Sequence, residues 1–149
     1  SDPCASIVEN FRPEQPIHHS NYIPVFDLQT IEPFMPMHRH TILKIDVEGA
    51  ELDVIKGIYE WIEIYQPILL LEILPVYNAE NIQRLNRQRE LEGLLLSLKY
   101  VIARIKKDSI VALEMLNDIG VHGNIDDSDY VLYPESLSEK INECFLNDK

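Results

Sequence analysis

The stretch from Ile42 to Gly57, ILKIDVEGAELDVIKG, together with QPILLLEIL from Gln66 onward, constrains the fold more than any other part of the chain. Thr41 to Val47 has the apolar alternation of a strand, interrupted by Lys44 and Asp46, with Glu48 next on the same alternation. Gly49 lets the backbone turn sharply. Ala50 to Tyr65 then has helical spacing, because Leu52, Ile55, Ile58, Tyr59 and Ile62 recur at three and four. Pro67 stops that helix. Ile68 to Ile73 is apolar but for Glu72, the pattern of a strand buried on both faces. A strand, a helix and a second strand at this spacing form a right-handed parallel crossover. The fold class is therefore α/β.

Downstream, Ala79 to Leu98 is a second predicted helix, with its clearest apolar spacing at Leu91, Leu94, Leu95 and Leu98. Tyr100 to Ile105 and Asp129 to Tyr133 are predicted strands, and Ser136 to Phe145 a terminal helix. The order implies a mostly parallel sheet. The last two strands, joined by an irregular stretch, are expected to add an antiparallel C-terminal edge. Upstream, residues 1–20 carry Pro3, Pro13 and Pro16 and little pattern beyond the strand-like ASIVENF. Tyr22 to Phe26 suits an edge strand, since Pro24 withholds a ladder donor. Asp27 resembles a helix N-cap, and PFMPMHRH a loop.

The 149 residues fit one domain, read as an irregular segment 1–20, a body 21–135 and a tail or helix 136–149. The chain begins at Ser1 without Met, as a processed or excised piece does. A net charge of -12 argues against nucleic acid and anionic membranes as partners. No run reaches the roughly 18 apolar residues of a membrane span. Cys4 and Cys144 lie near opposite ends and suggest no disulfide framework. A reduced, cytoplasmic protein is expected.

In a parallel α/β sheet, ligands gather at the carboxyl ends of the strands. Asp46 and Glu48 end one central strand and Glu72 the next, so neighbouring strands about 4.8 Å apart would converge these carboxylates on one rim. A bare carboxylate there is costly unless it is used. Lys44 is then a partner for one of the acids, or snorkels past the sheet edge. Glu51 and Asp53 have a plainer role as first-turn acids favouring the helix dipole.

These segments resemble the FkbM family of S-adenosylmethionine-dependent methyltransferases. KIDVEGAE followed by a helix and PILLLEI is close to the family pattern. YIPVFDLQTI resembles its earlier strand and turn, with Phe26 and Gln29 as departures. LKYVIARI resembles its late strand, with Lys99 where the family has glycine. The likeness spans roughly residues 20 to 135. It implies a Rossmann-like sheet in which Leu43 to Val47 is the fourth strand and Ile68 to Ile73 the fifth. It also implies methyl transfer from S-adenosylmethionine, usually to a hydroxyl on a sugar or natural product. Asp46 would face both methyl donor and acceptor, and Asp46, Glu48 and Glu72 would form the catalytic set. Asp46 could act as general base. Related enzymes hold a divalent cation such as Mg²⁺ between such acids, where it would acidify the acceptor hydroxyl. No third ligand is evident here, so the base or orienting role is favoured.

The family's glycine-rich cofactor loop has no counterpart among the five glycines, Gly49, Gly57, Gly93, Gly120 and Gly123. GVHG (120–123) has the wrong spacing and suits a loop. The chain thus corresponds to the carboxyl half of the domain, with an open sheet edge that invites homo-oligomerisation. The rival reading is a non-catalytic α/β remnant that associates with proteins through that edge. His18, His19, His38 and His40 are read as solvated loop residues. Arg84, Arg87 and Arg89 form either a solvated helix face or a seat for an anionic acceptor group. Trp61 and Tyr65 are read as core packing.

Overall fold

A computed structural model describes residues 24–34, 41–107 and 112–146. Its strands are β1 (Ile42–Ile45), β2 (Ile68–Glu72), β3 (Tyr100–Lys106), β4 (Ala112–Leu116) and β5 (Asp129–Pro134). Its helices are α1 (Leu28–Ile31), α2 (Glu51–Gly57), α3 (Tyr59–Tyr65), α4 (Ile82–Ser97) and α5 (Ser138–Leu146). The α/β class is as expected, and the architecture is compatible with a Rossmann-like sheet.

The five strands lie in the order β1-β2-β5-β3-β4. Only β1 and β2 pair in parallel; the other three pairings are antiparallel. The mostly parallel sheet expected from the element order is therefore not found. The physical reason is the path of β5, which returns to the middle of the sheet rather than its edge and runs against both neighbours. Because β3 is antiparallel to β5, and β5 to β2, β3 still points along β1 and β2. The edge expected from the last two strands is instead β4, a hairpin partner of β3.

Two further differences are local. The helix expected over Ala50 to Tyr65 divides at Ile58, whose φ of -117° leaves the helical region. Gly57 just before it weakens the helix. Pro24 to Asp27 carries no regular structure, so the strand expected over Tyr22 to Phe26 is absent from its described part, Tyr22 and Ile23 lying outside the described residues. Asp27 nevertheless caps α1, its carboxylate accepting from Thr30 N at 2.9 Å.

One face of the sheet carries the core. Cross-strand register aligns Leu43, Leu69, Leu132, Ile102 and Leu116, and Leu52, Ile55, Trp61, Ile62, Leu91 and Leu95 from the helices pack with this row. Trp61 is 2% exposed, with its ring 5.3 Å from that of Tyr65. The other face is less covered. Leu69 and Leu71 are buried, but Ile68 and Leu70, on the opposite alternation, are only half-buried. The apolar run 68–73 thus predicts burial on two faces where the described residues complete one.

Candidate functional site at the carboxyl rim

The parallel β1–β2 pairing brings the carboxyl ends of those strands together. Its register matches Ile45 with Leu71, and one residue further Asp46 stands beside Glu72. Glu72 is itself opposite Asp129 in the antiparallel β2–β5 pair. Three carboxylates from three adjacent strands therefore share the rim. Lys44 Nζ lies 2.6 Å from Asp46, and Lys107 Nζ 2.6 Å from Asp129. The outer two acids each have a lysine, and Glu72 sits between them.

This order of charges separates the acids. The bond from Lys44 holds the Asp46 carboxyl below its usual range. Burial raises Glu72, and the neighbouring Asp46 charge and the hydrogen bond between the two carboxyls raise it further. Two like charges so close make one of them bind a proton more readily, and Glu72 does so before Asp46 as pH falls. The pair offers two unequal proton acceptors side by side, Asp46 held toward its ionised form by Lys44 and Glu72 the more basic. Among the described residues, no group of three or more His, Cys, Asp or Glu is arranged to hold a metal ion.

Glu48 does not continue the alternation. It has a φ of 51°, and Gly49 follows at 98°, two left-handed residues in succession. For a glutamate this backbone costs on the order of 1–3 kcal/mol and persists only when its surroundings impose it. Gly49 N donates to Glu51 Oε1 at 2.9 Å, and Gly49 O accepts from Arg87 Nη2 at 3.1 Å. Glu51, expected as an ordinary first-turn acid, is 5% exposed, and burial raises its carboxyl. The Glu48 charge adds to the rise at both Glu51 and Glu72. Asp53 is engaged from α4 by Arg87.

Behind the turn lies a cavity of about 30 Å³, lined by Gly49, Glu51, Arg84, Arg87 and Gln88 among others. It has room for one or two waters and is too small for a methyl acceptor. Gln88 Nε2 donates to Gly120 O at 2.8 Å, while its Oε1 has no partner. A larger groove of about 430 Å³ runs between Asp27–Gln29 of the α1 start and the α2–α3 junction. None of Asp46, Glu48 or Glu72 lines either space.

The structure thus brings Asp46 and Glu72 together, with Glu48 in the adjoining turn. Asp129, Lys107 and Arg87 are rim or support residues that sequence reasoning missed. Asp129 was legible only as a strand start. Arg87 belongs to the patch read as a solvated helix face or a seat for an anionic group, and Arg84 lies with its guanidinium 5.8 Å from the Tyr77 ring centre. His18, His19, His38, His40 and Cys4 fall outside the described residues, and Cys144 is free and exposed.

A family model described as the methyltransferase FkbM domain matches residues 12–102. That span contains β1, β2, the helices between them, α4, and both Asp46 and Glu72. No curated protein matches the chain, and no solved structure does.

Proposed function

Since the chain belongs to the FkbM family of methyltransferase domains, we propose that it forms the carboxyl half of a site for S-adenosylmethionine-dependent O-methylation. The acceptor is a hydroxyl on a sugar or other natural product, and the setting is cytoplasmic. Methylating an oxygen releases the hydroxyl proton, and a nearby carboxylate must take it. Asp46 would accept the hydroxyl's hydrogen bond and orient it. Glu72, the more basic of the two, would carry the proton away. The observation that carries this reading is the unequal carboxyl pair on parallel strand ends.

These residues offer no cradle for the methyl donor. Gly57 and Gly93 lie within helices, and Gly120 and Gly123 lie in a loop between β4 and β5. On this reading the donor's main binding loop would come from another segment.

The alternative is an association module. Its support is the outer edge of β1, which no strand covers among the described residues, and Ile42 there is 62% exposed. Calorimetric titration with S-adenosylmethionine separates the readings. It is run on the 149-residue chain and on a longer product carrying a glycine-rich loop. Binding by the longer form alone supports the half-site. Binding by neither, with concentration-dependent sedimentation of this chain, supports the association module.

A further inference from the structure

We propose that Arg87 is a positioning residue: from α4 it locks the Glu48–Gly49 turn, and so fixes the direction in which Asp46 and Glu48 leave β1. Its bearing on methyl transfer rests on the proposed function, but the lock itself rests on geometry alone.

The turn has two adjoining peptide planes, and a side chain holds each. Glu51 Oε1 takes the N–H of the Glu48–Gly49 peptide at 2.9 Å. Arg87 Nη2 donates to the carbonyl of the Gly49–Ala50 peptide at 3.1 Å. The backbone adds a bond from Ala50 N to Val47 O at 3.3 Å. Rotating either plane out of the left-handed pair breaks one of these contacts. The Arg87 contact comes from outside the turn, 38 residues along the chain.

The chemistry suits arginine. One nitrogen, Nη2, carries two hydrogens and serves both Gly49 O and Asp53 Oδ2. Asp53, on the exposed side of α2, thereby aims the guanidinium at the carbonyl. A lysine ammonium would lose the planar fork that makes this aim rigid. Arg89, two residues on, is exposed, and supplies a charge-matched control on the same helix.

The experiment compares Arg87→Gln, Asp53→Asn and Arg89→Gln with the parent in the full 149-residue chain by NMR at constant neutral pH. It reads amide exchange at Gly49 and Leu95, the Glu48 amide-to-α-proton coupling that reports φ, and the carboxyl carbon shifts of Asp46 and Glu48. In Arg87→Gln, Gly49 exchange rises about tenfold, as loss of one charge-assisted bond implies. The Glu48 coupling and both carboxyl shifts move, while Leu95 in the core stays protected. Asp53→Asn moves the same signals less, and Arg89→Gln moves none. Parental Gly49 exchange and Glu48 coupling in Arg87→Gln overturn the proposal. So does an equal rise at Gly49 and Leu95, which would make Arg87 a general support of α4. Neither result depends on donor binding, so failure of the methyl-transfer reading would leave this outcome legible.

Discussion

Glu72 and Asp129 face each other directly across the antiparallel β2–β5 pair, two carboxylates where a sheet gains from opposite charges. Like charges in this position are destabilising, by roughly 0.2–1 kcal/mol against a neutral pair. Burial at Glu72 adds to the penalty. Glu72→Gln should therefore raise stability at neutral pH by an amount in that range, seen as a higher urea midpoint with an unchanged slope. In a product that binds the methyl donor, the same change should lower turnover by about 10²–10⁴-fold. Greater stability with lower activity marks an acid held in place for chemistry. Lower stability in Glu72→Gln would make it a structural residue.

Glu51 gives a pH-dependent prediction. Burial raises its carboxyl in the folded chain above the ordinary glutamate value of 4.5. The folded state therefore binds this proton more tightly than the unfolded state. The resulting stability is fully present below the unfolded value and is lost as pH rises through the folded one. Glu51→Gln keeps an oxygen for Gly49 N and removes the ionisation. The variant and the parent should have similar stability near pH 4.5, and the variant should become the more stable as pH rises. Parallel curves across that range would show that Glu51 carries no folding-linked proton.

Tyr100 ties the start of β3 to the turn that precedes β2. Its hydroxyl donates to Pro67 O at 2.7 Å, and both residues are buried. Burial also holds the phenol protonated well above its usual range. Tyr100→Phe leaves the Pro67 carbonyl without this donor, at a cost of about 1–3 kcal/mol. Urea unfolding measures the loss directly. A change within error would mean that water reaches the carbonyl.

Local pattern made much of this fold legible, and long-range pairing hid the rest. β1, β2 and α4 fall within the predicted segments because each has an apolar rhythm of its own. β4 escaped because Ala112, Leu113, Glu114, Met115 and Leu116 are mostly good helix formers. Pairing with β3 overrides that preference. The insertion of β5 between β2 and β3 leaves no local mark at all. At the site, Asp46 and Glu72 were legible as charged residues ending apolar strands. Asp129 joins them only through the β5 insertion, and Arg87 meets Gly49 only when α4 packs beside α2.

Lys99 shows how a departure from the family pattern becomes a stability prediction. It follows α4 with a φ of 59°, where the family-like sequence has glycine. Lys99 N bonds to Leu96 O at 3.0 Å and Lys99 O accepts from Glu135 N at 2.9 Å, so the left-handed turn is held from both sides. An L-residue in this conformation costs roughly 1–2 kcal/mol. Glycine removes that strain but gives back about 0.4–1 kcal/mol through the freer unfolded chain. Lys99→Gly should therefore stabilise the protein by about 0.5–1 kcal/mol. Lys99→Ala, which keeps the Cβ, should change stability little. The pair of variants isolates backbone strain from loss of the lysine charge. An equal gain in both would place the effect in the charge, and no gain in either would mean the turn relaxes without cost.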